Sequence, residues 1–170
     1  MRPAAVAVAL TICALAAASC SGGSRSAQAR TTPGADADAD AGAALKAAAR
    51  KAVVAHHRLS VKVLWTNKVP AKPLWVTGSA LKALRTAARD RSKRGVRVLV
   101  THENFRIVAL RLDPSHAKAS AVVTDRQTGA VYEHGRRMKQ RVKSNERARI
   151  ELRRAGRTTR FVVWKVALIQ

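Results

Sequence analysis

The chain has 170 residues, which suits one domain plus a tail, and its 33 Lys and Arg against 10 Asp and Glu, a formal net charge of +23, point either to polyanionic partners or simply to a soluble, charged surface. Nearly half of the residues are apolar, many of them alanine, so a core can form, while six aromatics (Trp65, Trp75, Phe105, Tyr132, Phe161 and Trp164) are expected to mark its thickest parts. Two cysteines, Cys13 and Cys20, are too few for a Cys-rich zinc site.

Met1-Arg2 is a short basic start, Ala4 to Leu15 an apolar run, and Ala16-Ala17-Ala18-Ser19 a patch of small residues ending at Cys20. A positive start, an apolar centre and a small-residue exit are the three parts of a secretory signal peptide. The run falls short of the roughly 20 predominantly apolar residues that a membrane-spanning helix needs. The Ala-Ala-Ser-Cys ending resembles the lipobox of bacterial lipoproteins, which implies cleavage before Cys20 and lipid attachment to it; at Cys13 the preceding Ile12 is too bulky. The rival reading is an ordinary signal peptide and a secreted product. Either way Cys20 is the only cysteine left in the mature chain, so an intramolecular disulfide is excluded. The expected location is extracytoplasmic, on the outer face of the cell membrane if lipidated.

Residues 20–42 are polar, low in complexity and without hydrophobic periodicity, and read as a disordered tether with a reach of about 25 Å. Asp36, Asp38 and Asp40 precede a helix beginning at Ala43, in which Leu45, Ala49, Ala52, Val53 and His56 share one face. It runs at least to Leu59; Ser60 to Asn67 suits a helix or a strand. Pro70 and Pro73 end regular structure, and Thr77-Gly78-Ser79 supplies cap residues for a second helix with Leu81, Leu84 and Ala88 on its apolar stripe, closed by Gly95.

From Val96 the periodicity is that of strands. Val96 to Thr101 and Ile107 to Leu112 read as two short strands, Asp113-Pro114 as a turn, Ala117 to Thr124 as a third strand, and Gln127-Thr128-Gly129 as a further turn or hairpin tip. Arg147 to Arg153 alternates cleanly, and Arg160 to Ile169, with Val162, Trp164, Val166 and Leu168 on one face, pairs with it across Ala155-Gly156-Arg157. Helices first and then a run of strands give an α+β fold: N-terminal helices packed on a curved antiparallel sheet over residues 43–170.

This order, with Thr77-Gly78-Ser79-Ala80-Leu81-Lys82-Ala83-Leu84 leading into the sheet and Val163-Trp164-Lys165-Val166 in the last strand, resembles small actinobacterial lipoproteins of the nuclear-transport-factor-two-like, cone-shaped superfamily. The resemblance implies a strongly curved sheet wrapped around helices, often enclosing a pocket. The scaffold hosts enzymes and non-catalytic domains alike, so it does not supply an activity. The high positive charge departs from what the superfamily leads one to expect.

No catalytic or cofactor motif stands out. His102-Glu103 begins like a metalloprotease helix motif, but Arg106 occupies the second histidine's place, and there is no phosphate-binding glycine loop. His56 and His57 diverge by about 100° on a helix and do not chelate together, one edging the core and the other meeting solvent, and His102, His116 and His134 fall in expected loops. Most of the acids map to the tether, to turns (Asp113, Asp125) or to a helix surface (Asp90), and the inward strand positions that can be assigned are almost wholly aliphatic. No metal or cofactor is implied, and a non-catalytic binding domain is the expectation, with an isomerase- or hydratase-like enzyme in a cone pocket as the alternative.

The basic residues form the clearest pattern. Arg136, Arg137, Lys139, Arg141 and Lys143, followed by Arg147, Arg149 and Arg153, are expected to gather on one sheet face and to hold anionic lipids or wall polymers. Nucleic acid is the alternative partner only if the N-terminus is not a signal, since the run lacks the aromatics that stack on bases.

Overall fold

The computed structural model describes residues 35–169, with side chains from residue 40 onward. Cys20 and the signal-like segment lie outside the described residues. The fold is α+β: α1 (Ala35–Thr66), α2 (Gly78–Lys93), then β1 (Val96–Leu112), β2 (Lys118–Glu133), β3 (Arg136–Arg154) and β4 (Phe161–Leu168). The strands form one antiparallel meander in the order β1-β2-β3-β4. No helix among the described residues is long and apolar enough to cross a membrane.

α1 starts at Ala35 rather than Ala43, so the alternating Ala-Asp segment belongs to the helix, and it continues through the ambiguous Ser60–Thr66 stretch. Alanine-rich sequence carries almost no helix penalty, and once α1 is docked the β-branched Val61 and Val63 follow it. Asn67 ends the helix with φ +51, its N–H donating to the Val63 carbonyl. Its Nδ2 donates to the carbonyl of Val96 at 2.7 Å, and Arg91 of α2 donates to Asn67 Oδ1 at 3.1 Å. This asparagine therefore ties the end of α1 to α2 and to the start of β1. Burial, and then the neighbouring Arg94, lower the pKa of Arg91.

Both helices lie on one face of the sheet. Ala49, Ala52 and Val53 of α1 meet Ala119, Ala121, Val123, Ala148, Ile150 and Leu152, all buried. Alanines on both layers let helix and sheet approach closely, which is where the Ala-rich composition is used. Phe161 and Val163 of β4 fill the far side and are fully buried. The edge of β4 is partly closed by the link before α2, because Val163 donates to the Trp75 carbonyl and Thr77 donates to that of Val163.

Several sequence expectations are corrected here. β1 is one strand of 17 residues, not two short ones, bent by register shifts at Val100/His102 and Ile107/Ala109. Gln127-Thr128-Gly129 is no turn: β2 runs through it, and the hairpin tip lies at His134-Gly135. Gly129 is required in mid-strand because a Cβ there would stand 2.8 Å from the Leu99 carbonyl oxygen, beside the first bulge. A further shift at Glu151/Leu152 changes which side β4 presents, so Val163 rather than Val162 packs inward. The aromatics divide: Phe161 is buried, while Trp65 is 38% exposed and rests edge-on against Tyr132.

Candidate functional site

The helix-bearing face holds polar side chains where only aliphatic ones were expected. Strand register sets Phe105, Asp125 and Glu146 in one row and Glu103, Gln127 and Ser144 in the next. Asp125 is thus in mid-strand and faces α1, and His102 lies in β1 rather than a loop. His57, not His56, is the histidine that meets the sheet. It is buried, stacks on Phe105 at 4.0 Å between centroids, and places Nδ1 3.3 Å from Asp125 Oδ2 and Nε2 3.4 Å from Glu103 Oε2. Gln127 donates to the same Asp125 oxygen at 2.7 Å, while Asp125 Oδ1 and His57 Nε2 are buried without a hydrogen-bond partner. His56 beside it is half-buried, and burial followed by the charge of His57 pushes its pKa down to about 4.

An imidazole oriented by a carboxylate is the arrangement of a general base, but such a group acts only where substrate reaches it. Phe105 covers the ring of His57, and Ala, Val and Leu fill the core around it. A cleft of about 410 Å³ is lined by Asn67, Val69, Arg85, Ala88, Arg89, Ser92 and Lys93, and another of about 360 Å³ by Ala130, Arg137, Met138, Lys139 and Arg141; neither touches His57. The cluster is a buried polar tie between α1, β1 and β2. Among the described residues no group of three or more His, Cys, Asp or Glu is arranged to hold a metal ion.

The opposite face of the sheet carries the charge. In β3, Arg147, Arg149 and Arg153 are exposed and alternate with buried Ala148, Ile150 and Leu152. Lys143 continues the row across from Thr128, and Arg141 across from Ala130. Lys139 falls in the segment where β3 has extra residues relative to β2, between the Ala130↔Arg141 and Tyr132↔Arg137 pairs, and it lines the 360 Å³ cleft with Arg137 and Arg141. Arg136 departs from this set: it pairs with Glu133, in the row of buried Val96.

Sequence reasoning about β3 alone missed Arg106 and Arg126, which the long strands bring into the same field. Arg126 Nε donates to Asn145 Oδ1 of β3 at 3.2 Å, and Arg106 Nε donates to Asn104 Oδ1 at 3.1 Å. Amide partners orient a guanidinium without setting a negative charge beside it. The row Arg106–Thr124–Arg147 sets Arg106 and Arg147 either side of a hydroxyl. Against these cations the acid on the face is Glu151, and it pairs with Lys165 at 3.7 Å. Arg153 stacks on the Trp164 ring at 3.7 Å. The signal for Arg106 and Arg126 was their alternation with Phe105 and Asp125, legible only once β1 and β2 are known to be continuous.

No protein-family model matches the chain, and neither does any curated protein. Among solved structures, the intermembrane-space region of the chloroplast protein ARC6 is similar, with a TM-score of 0.61 over 73% of this chain and 95% of that one. At 10% identity the likeness is one of fold.

Proposed function

We propose that the chain is an exported lipoprotein, anchored by a lipid on Cys20, whose non-catalytic α+β domain, on a cone-like scaffold, holds anionic envelope surfaces with the open face of its sheet. The observation that carries this reading is the segregation of charge. Glu103, Asp125 and Glu146 turn toward the helices, whereas Lys143, Arg147, Arg149 and Arg153, with Arg106 and Arg126, stand on the uncovered face. An ordinary solvated surface intersperses both signs, while a one-signed field concentrates counter-ions and polyanions. Near an anionic bilayer each such residue contributes about 1 kcal/mol, screened beyond a Debye length of about 10 Å at 0.1 M salt.

Two measurements test this. Wild type should incorporate a lipid label and fractionate with membranes, and Cys20→Ala should do neither; an unlabelled, fully soluble wild type refutes the anchor. The Cys20→Ala protein should sediment with vesicles rich in an anionic phospholipid at low salt and be released at high salt. Failure to bind at low salt refutes the basic-face reading.

A further inference from the structure

The basic side of the sheet is not uniformly charged, and one of its irregularities has the chemistry of a lipid-water boundary. Leu99, Ala130 and Arg141 form one row across β1, β2 and β3. Next to this row β3 carries extra residues relative to β2, and the cleft of about 360 Å³ opens there, with Ala130 buried in its lining and Arg137, Met138, Lys139 and Arg141 around it. Met138 is 41% exposed and Leu99 38% exposed. Among the described residues no acid lines this cleft.

We propose that this bulge is a phospholipid headgroup site: Arg137, Lys139 and Arg141 take the phosphate of an anionic lipid while Met138 and Leu99 enter the acyl boundary. The proposal rests on the basic-face reading and decides between its two sources of anionic charge, in favour of a bilayer over a soluble polymer. The deciding chemistry is the pairing of cations with exposed apolar side chains. A water-soluble polyanion gains nothing from Met138, whereas a bilayer boundary rewards an apolar tip flanked by long cationic side chains whose stems lie along it. A flexible thioether suits an interface of changing shape.

The position of the patch adds a geometric consequence. It lies in the part of the sheet that Asn67 ties to the C-terminal end of α1, through the start of β1. α1 has 32 residues, so its N-terminal end stands about 48 Å away at 1.5 Å per residue. The 15 residues from Cys20 to Ala35 span at most about 50 Å when extended. With α1 lying along the surface, a lipid on Cys20 and the bulge can engage one bilayer together as a two-point attachment.

The test uses the mature chain from residue 20 with Cys20→Ala, so that neither the apolar leader nor an anchor masks the face, with two probes: phosphatidylglycerol vesicles and a soluble polyglycerol phosphate. Met138→Ser should weaken vesicle partitioning about tenfold, as expected for one buried apolar side chain, and leave polymer binding unchanged. Arg141→Ser should weaken vesicle binding and flatten its salt dependence. Since Met138 is exposed, Met138→Ser is expected to fold, and an unchanged urea midpoint checks this. If Met138→Ser binds vesicles like its parent while Arg147→Glu with Arg149→Glu abolishes binding, the basic face stands and the headgroup site falls. If polymer binding drops in parallel with vesicle binding in Met138→Ser, the site is not specific to a bilayer and the proposal is overturned. Binding to neither probe at low salt overturns the underlying reading as well.

Discussion

Replacing His57 separates the two things its ring does. His57→Phe keeps an aromatic ring over Phe105, where the centroids now stand 4.0 Å apart, but removes both nitrogens that face Asp125 and Glu103. Asp125 then keeps only Gln127 as a partner and retains Oδ1 buried with none. Leaving a buried polar group unsatisfied costs about 1–3 kcal/mol, and breaking a fully buried ion pair about 3–5 kcal/mol. Asp125 keeps some exposure and the Glu103 carboxylate is 49% exposed and relaxes into water, so the expected loss is about 2–3 kcal/mol. Asp125→Asn alone should cost less, since the amide still accepts from Gln127. Combined with His57→Phe it should cost less than the sum, because the charge that suffers from the missing imidazole has gone. The assay is urea unfolding of wild type, both single variants and the double variant at neutral pH, read as a double-mutant cycle. A coupling energy of about 1–2 kcal/mol is expected; one below about 0.5 kcal/mol, the ordinary scatter of additivity, refutes the claim that the pair acts as a unit.

Gly129→Ala should destabilise the protein by about 1–3 kcal/mol, because the new methyl meets the Leu99 carbonyl oxygen at 2.8 Å and β1 must shift to admit it. A urea midpoint equal to wild type would show that the strand approach is looser than described. His56 makes stability depend on acid. Its folded pKa is about 4 against an ordinary 6.5, so between those values the unfolded chain binds the extra proton and stability falls as pH falls. The contribution is absent above pH 6.5 and levels off below about 4, at about 3 kcal/mol at most. Subtracting the profile of His56→Gln from that of wild type isolates it, and a flat difference across that window contradicts the assignment.

The sequence by itself determined the α+β class, the two helices, the paired last strands and the alternation of Arg147 to Arg153. All of these follow from local periodicity, which a single strand or helix expresses without reference to its neighbours. It also carries the Cys20 motif, a matter of adjacent residues alone. Tertiary structure decided what depends on register. Four shifts in strand pairing determine that Val163 rather than Val162 is buried, that Gly129 lies within a strand, and that Arg137 and Lys139 surround a cleft. The charge field across three strands, with Arg106 and Arg126 joining β3, depends on the same pairing. The polar tie from His57 to Asp125 spans residues 68 positions apart and left no local sign, since an acid among alternating strand residues reads the same whether it meets water or a helix. One extra residue in a strand moves every later side chain to the other face, and only the partner strand shows where that residue sits.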